Sequence, residues 1–342
     1  MLDGEATRRE FVALGLSAAT AAATPGLAAQ QPAIRDAQVR EPALALVSRH
    51  LQWTSVEEGI EIAAQAGFPA IAWTVRPGAH VEAAQVETEL PRIVARTRQA
   101  GLAAPLIITA IQGDRTPHVE AILGTMQRLG IRNYRIGAPR YDYSREFAPQ
   151  YAAFREKLVG LARLNARFGT TAVVHTHSYA DTIGGGGWDL WMLIRDLDPE
   201  LIGINFDIGH VTVKGGPGWR DCFHAAHAHV RAFSVKDFHW VKRTDAPAGE
   251  WPWQPEFVRP GDGMVDFAGA FAALKAVGFS GPIENYFEYK VAVPGVAQPV
   301  DMLGTDYGKW QLEMPRETFV SLLRRDVDFY RAAYAAAADP QQ

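Results

Sequence analysis

Four short apolar runs in this sequence stop on residues that bind metal ions or move protons. VVHTHS ends on His175 and His177, GINFDIGH on Asp207 and His210, AFSVKD on Lys236 and Asp237, and PIENYFEY carries Glu288. A charged aspartate closing an apolar strand is costly unless it is paired. Asp-Ile-Gly-His sets a second ligand-type side chain one turn beyond Asp207. A carboxylate oxygen beside imidazole nitrogens suits a divalent ion: Mn2+, Mg2+, Co2+ or Zn2+. His175 and His177 lie two apart and share one side of a strand. One reads as a metal ligand, the other as a base or a holder of a substrate hydroxyl. Lys236 reads as the group that polarises a carbonyl or neutralises an enolate, with Asp237 orienting it. Alternation puts Glu284, Tyr286 and Glu288 on one face, and Glu288, nearer the C-terminal end, is expected to face the site. The expected metal set is Asp207, Glu288, His175 and His210. The expected catalytic set is His175, His177, Lys236 and Glu288.

Earlier runs add Arg76-Pro-Gly-Ala-His80 and Arg135. Both arginines follow apolar strand residues, and a planar donor fork there is suited to substrate oxygens. Arg76, His80, Arg135 and His210 are therefore expected to bind substrate. Trp240, Trp251 and Trp253 join them, because indole faces pack against the C–H faces of sugars. His224, His227 and His229 fall on a helix and its exit before a strand, away from this rim, and read as structural.

The elements that must position these residues alternate along the chain. Short β-type runs are ALALVS, AIAWTV, APLIITAI, NYRIG, TAVVHTHS, GINFDIG, VRAFSVKD and PIENYFEY. Between them lie stretches with helical spacing, several ending at a glycine (Gly67, Gly101, Gly130, Gly278) that can take the left-handed conformation closing a helix. Eight strands with seven intervening helices and a last helix near 315–337 predict a single (β/α)8 barrel of the α/β class over 43–338. Strand ends gathered at one rim then become the C-terminal mouth, where such barrels carry their active sites. No glycine-rich phosphate turn follows an early strand, which disfavours a doubly wound sheet. The glycines 184–187 read as a flexible lid. Segments 238–264 and 290–309 read as insertions.

With 342 residues, 48% apolar and a formal charge of −4, the chain has the makings of a large core and no basic footprint for nucleic acid. Cys222 is the sole cysteine, so no intrachain disulfide forms. Thr7-Arg8-Arg9-Glu10-Phe11-Val12 followed by an Ala-rich stretch and a small-residue end resembles a twin-arginine export signal over 1–29, with a linker over 30–42. That predicts a periplasmic or other extracytoplasmic location. The apolar part is too short for a membrane span.

Taken together, TVRPGAHV (74–81), NYRIGAPRYD (133–142), HTHS (175–178), FDIGHVTVKGG (206–216), VKDFHW (235–240), GDGMVDF (261–267) and GPIENYFEY (281–289) resemble the sugar phosphate isomerase/epimerase family, the xylose isomerase-like barrels. The likeness is strongest to a branch of exported members and runs from about Ala43 to Tyr289. It implies a divalent metal held by Glu, Asp, His and Glu at four strand ends. Asp207 matches the Asp, and Glu288 is matched to the final Glu. His175 stands where the first Glu is often found, and Ser234 where a ligand His often precedes the Lys-Asp pair. The implied chemistry is proton abstraction next to a carbonyl of a carbohydrate, giving an isomerase or epimerase. The alternatives are a lyase that eliminates the aglycone of a 3-keto-glycoside, and a barrel that binds carbohydrate without turning it over. Association into a homo-oligomer stays open.

Overall fold

The computed structural model describes residues 42–303 and 311–338. The leader expected at 1–29 and nearly all of the linker lie outside the described residues. Eight parallel strands close a barrel: β1 (Leu44–Val47), β2 (Ala70–Val75), β3 (Leu106–Thr109), β4 (Asn133–Gly137), β5 (Thr171–His175), β6 (Ile202–Asp207), β7 (Val230–Val235) and, last in the barrel, β10 (Ile283–Asn285). β10 pairs with both β7 and β1 and so closes the ring. Between β7 and β10 an antiparallel hairpin, β8 (Asp237–Lys242) and β9 (Trp253–Val258), occupies most of the segment expected as an insertion. A second short pair, β11 (Lys290–Val291) and β12 (Val300–Asp301), follows β10.

The helices are α1 (Val56–Ala66), α2 (Val86–Gln99), α3 (Val119–Leu129), α4 (Phe147–Phe168), α5 (Trp188–Ile194), α6 (Ile208–Gly215), α7 (Trp219–Ala226), α8 (Phe267–Ala276) and α9 (Arg316–Ala336). α1 starts on a reciprocal cap: Ser55 Oγ accepts from Glu58 N, and Glu58 Oε2 accepts from Ser55 N. It ends at Gly67 with φ 86°, as its Ala-Gly-Phe sequence predicts. Among the described residues, no helix is long and apolar enough to cross a membrane.

Two apolar layers follow from strand alternation. Outward residues such as Tyr134, Ile136, Phe206, Phe233 and Phe287 pack under the helices. Inward residues are small in the lower barrel: Ala45, Val47, Ala70, Ala72, Leu106, Ile108, Val173 and Ala232 form a separate cluster. The inward positions change from apolar to polar toward the strand ends on the β4–β10 side. The pairing register there sets Asp207 beside Ser234 and Ser234 beside Glu284, a single polar row across three strands.

Candidate active site

Asp207 closes β6 and caps α6. Its Oδ1 accepts from the His210 backbone N at 2.9 Å, and its own N–H donates to Thr176 Oγ1 at 2.9 Å. The cap fixes the first turn of α6 and so aims His210 back at the strand ends. Gly209, in that turn, lies against Lys236: a Cβ there would sit 2.8 Å from the Lys236 carbonyl oxygen. His175 ends β5, and His177 follows two residues later on the same side.

Asp207 Oδ2 is the centre of the cluster. It is buried, receives no aligned hydrogen bond, and lies 3.7 Å from His175 Nε2 and 3.8 Å from His210 Nε2. His175, Asp207 and His210 together form a candidate metal site, with ligand atoms within 4.8 Å of one another. Lys236 reaches the same atoms. Its Nζ is 3.2 Å from Asp207 Oδ2, 2.9 Å from His210 Nε2 and 2.9 Å from Glu288 Oε1.

Burial governs protonation here. It raises the Asp207 carboxyl to about 6, although the Lys236 ammonium pulls it back down. Burial, with Arg135 and Lys236 nearby, drives His175 well below its usual value, and His210 falls for the same reasons. His177 is lowered to about 3, again by burial first. All three imidazoles are neutral at neutral pH and so offer lone pairs. Two nitrogens and one carboxylate oxygen fit an ion of the Zn2+, Mn2+ or Co2+ kind better than Mg2+, which favours oxygen. The Lys236 ammonium draws on those same lone pairs, so ion and ammonium compete for them.

Several expectations need correction. Glu288 does not join the candidate metal set, because its carboxylate is drawn to Lys236 instead. The carboxylate level with Ser234 and Asp207 is Glu284, fully buried below it. Glu284 Oε2 accepts from Asn205 Nδ2 and from Ser234 Oγ, the latter at 3.1 Å, and Arg135 Nη1 lies 3.5 Å away. Asp237 does not orient Lys236. Its two oxygens accept from the backbone N–H groups of Phe238, Gly261, Gly263 and Val265, which ties the base of the hairpin to the chain returning from it.

The glycines 184–187 are not a lid. Gly184 and Gly185 are buried, and a Cβ on Gly185 would stand 2.4 Å from the His177 carbonyl oxygen. This close packing backs the His177 loop. His177 itself stacks on His210 at 4.1 Å and on Tyr179 at 4.0 Å, and Arg140 lies over Tyr179.

Two adjoining cavities open at the mouth, of about 300 and 440 Å3. His175, His177 and Glu288 line both. Arg76 and Arg135 line the smaller one, together with Arg49, Lys157 and Tyr286, which sequence reasoning passed over. His210, Tyr179 and Phe257 line the larger one. Arg49 follows an apolar strand just as Arg76 does, so the same signal could have found it. Lys157 sits on a helix and gives no strand-end signal.

His80 packs edge-on against Trp73 at 5.3 Å and lines neither cavity. Trp240, Trp251 and Trp253 also stand off the cavities. They lie exposed on or beside the hairpin, and the aromatic that reaches the site from it is Phe257, 5.6 Å from the His210 ring. A hairpin has two ends, and these tryptophans lie on the outer one.

The sequence profile of the xylose isomerase-like TIM barrel family matches residues 60–303. No curated protein matches the chain. Among solved structures, a 3-keto-D-glucoside 4-epimerase from E. coli is 14% identical, covering 85% of this chain and 100% of its own, with a TM-score of 0.60. A D-psicose 3-epimerase solved with D-fructose is 14% identical over 86% of this chain and 100% of its own, TM-score 0.60. A xylose isomerase-like barrel protein from Mycobacterium smegmatis in complex with magnesium is 15% identical over 88% and 99%, TM-score 0.59. At these identities the likeness is one of fold. With the profile spanning well over half of its length, this chain belongs to the xylose isomerase-like TIM barrel family.

Proposed function

We propose that the protein enolises a sugar or sugar derivative at the barrel mouth, removing a proton next to a carbonyl in the manner of an isomerase or epimerase. The observation that carries this reading is the buried Asp207–His175–His210 group with Lys236 and Glu288 at its open side. The sugar epimerases that share the fold support the substrate class. The relative solved in complex with magnesium supports a bound divalent metal.

Each side chain has a task that its position allows. Glu288, whose side chain is 17% exposed, lines both cavities and is the carboxylate that can meet a substrate C–H. Lys236 sits behind it, and its ammonium faces the negative charge that develops on the enolate oxygen. Glu288 takes the proton from the carbon next to the carbonyl and returns it to the former carbonyl carbon; with the neighbouring hydroxyl's proton passing to the enolate oxygen, the carbonyl moves by one position with no net change in atoms. His177, stacked between Tyr179 and His210, presents a neutral imidazole to a substrate hydroxyl. His175, Asp207 and His210 would hold a divalent ion, which supplies Lewis-acid polarisation of the carbonyl when bound.

The larger cavity favours a second outcome. Tyr179 and Phe257 give it an aromatic wall suited to an aglycone, so a keto-glycoside bound there would lose its β-substituent from the same enolate. Product analysis by NMR in D2O, with keto sugars and 3-keto-glycosides and with Mn2+ or Zn2+ added after chelation, tests both. Deuterium in a mass-neutral product identifies an isomerase or epimerase, and a released aglycone identifies a lyase. Sugars that bind with neither deuterium uptake nor release would overturn the reading in favour of a non-catalytic carbohydrate-binding barrel. Residence outside the cytoplasm is a separate proposal, resting on Arg8-Arg9 and its context. Replacing both by Lys should keep the protein in the cytoplasmic fraction.

A further inference from the structure

The backbone fixes which nitrogen of His177 carries its proton. His177 Nδ1 is hydrogen-bonded to the backbone N of Tyr179, two residues ahead, at 3.2 Å. A backbone N–H only donates, so Nδ1 accepts and bears no proton. An imidazole that accepts at one nitrogen is neutral, and its single N–H then sits on Nε2. Turning the ring over would set the carbon Cδ2 before the Tyr179 N–H and lose the bond. A side chain accepting from the N–H two residues on is the arrangement by which aspartate and asparagine close a turn, here made by a histidine. His175 and His210 have no such lock, because their Nδ1 atoms have no partner.

The loop holds this arrangement from both sides. The His177 ring lies between Tyr179 at 4.0 Å and His210 at 4.1 Å, with interplanar angles of 21° and 26°. Arg140 stands over Tyr179 at 4.1 Å. The Tyr179 loop is tied to the chain leaving β4 by Tyr141 N to Asp181 O at 2.6 Å and by Ile183 N to Pro139 O at 3.0 Å. With both faces covered and Nδ1 engaged, the edge left to meet a ligand is the one bearing Nε2. Among the described residues no hydrogen bond reaches that atom, and His177 lines both cavities of the mouth.

We propose that His177 is a donor-only catalytic group, whose Nε2–H hydrogen-bonds the substrate carbonyl oxygen that becomes the enolate, and that it never serves as the base. The identity of that oxygen rests on the enolising reading; the direction of the hydrogen bond stands by itself. The ring's one lone pair in its plane is committed to Tyr179, so none is left to accept a substrate proton. A neutral N–H fixed in advance stabilises negative charge as it grows on the oxygen without giving up its proton.

Long-range proton–nitrogen correlation NMR on the full chain, carrying isotope-labelled histidine, reads the tautomer directly. Through-space contact with the Tyr179 amide proton assigns the His177 ring. Nε2 should carry the proton, and Nδ1 should show the signal of a bare nitrogen. A protonated Nδ1 would overturn the proposal. Substitution reads the catalytic role. Gln sets an amide N–H near the place of Nε2, whereas Glu sets there a carboxylate that accepts a proton and has none to donate. His177→Gln should keep deuterium exchange into D-fructose or methyl 3-keto-D-glucoside within about tenfold of the parent, and His177→Glu should lose about a hundredfold, the scale of one missing oxyanion donor. Thermal unfolding of both variants controls for the fold, and the NMR measurement on the parent needs neither of them. Glu retaining more exchange than Gln, or equal losses in both, would end the donor assignment. A parent protein that exchanges neither compound yet shows the proton on Nε2 removes the enolising reading and leaves His177 a donor.

Discussion

Asp207 and Asp237 end neighbouring strands or begin their extensions, both are buried, and both read from sequence as acidic groups at the rim. Their surroundings differ completely. Asp237 is saturated: four backbone N–H groups donate to its two oxygens. Asp207 spends one oxygen on a helix cap and leaves the other facing two imidazoles and an ammonium, with no aligned donor. The same contrast separates the buried histidines. His50 uses both ring nitrogens, Nδ1 toward the Met302 carbonyl at 3.0 Å and Nε2 accepting from Phe287 N at 3.2 Å. His175 and His210 each keep Nδ1 unpartnered, and their Nε2 atoms gather beside Asp207, that of His210 also meeting the Lys236 ammonium. A buried polar group with every valence met is holding the fold together. One with valences held open is positioned for something that arrives later.

The sharpest way to break this comparison is to neutralise each aspartate in turn. Asp207→Asn keeps the shape and removes the charge. Enolisation, followed as deuterium exchange, should fall by about a thousandfold, the scale of losing a preorganised electrostatic group. The thermal midpoint at pH 7 should hold or rise, because burial already disfavours the charged form of Asp207. Asp237→Ala should do the opposite. Four N–H groups lose their acceptor, and urea titration should show a loss of about 3 kcal/mol or more. Exchange per folded molecule should fall far less. An Asp237→Ala protein as stable as the parent would end the distinction.

The histidines sharpen it through pH. Burial lowers His50 to about 3 from 6.5, so the unfolded chain binds a proton that the folded one refuses. Its contribution is therefore intact above pH 6.5 and declines as pH falls toward 3. One such group costs roughly 2 kcal/mol by pH 5, at 1.36 kcal/mol per unit. His177, also lowered to about 3, adds a decline of the same sign. A His50→Gln variant should be less stable at pH 7 and show a flatter stability profile between pH 7 and 5. An unchanged slope would mean that His50 does not carry the acid sensitivity.

Much of this was legible in the sequence, and the reason is periodicity. Apolar runs mark every barrel strand, several of them entered from a glycine stop, and alternation of period two sends His175, Asp207, Ser234 and Lys236 to the inside. Depth is what alternation cannot supply. Glu284, Tyr286 and Glu288 share a face, and only the pairing of β10 with β7 shows that Glu284 is level with Ser234. Nor does sequence reveal how fully a polar group is satisfied. Asp237 looked like a partner for Lys236 because they are adjacent, whereas three of its four donors lie 24 to 28 residues ahead, in the chain returning from the hairpin. The tryptophans misled for a related reason. A loop long enough to hold aromatics is also long enough to carry them away from the site, and the hairpin register decides which end is which.

The smallest expected effect concerns Lys236, the ammonium on the open side of the comparison. Its ammonium rests on Asp207 and His210, the atoms a metal ion would use, and on Glu288, the group proposed to move the proton. If those lone pairs are shared between ammonium and ion, removing the ammonium should favour the ion. Lys236→Met keeps the length and apolar stem of the side chain, so packing against Tyr286 and Phe257 is largely preserved. Zn2+ affinity, measured by competition with a chelating dye, should rise by about tenfold, equivalent to about 1.4 kcal/mol. Exchange activity should fall even with the metal bound, because the charge facing the enolate is gone. A variant that binds Zn2+ no better than the parent would show that the ammonium and the ion do not contend for the same atoms. The open valences of Asp207 and its two histidines would then belong to Lys236 alone.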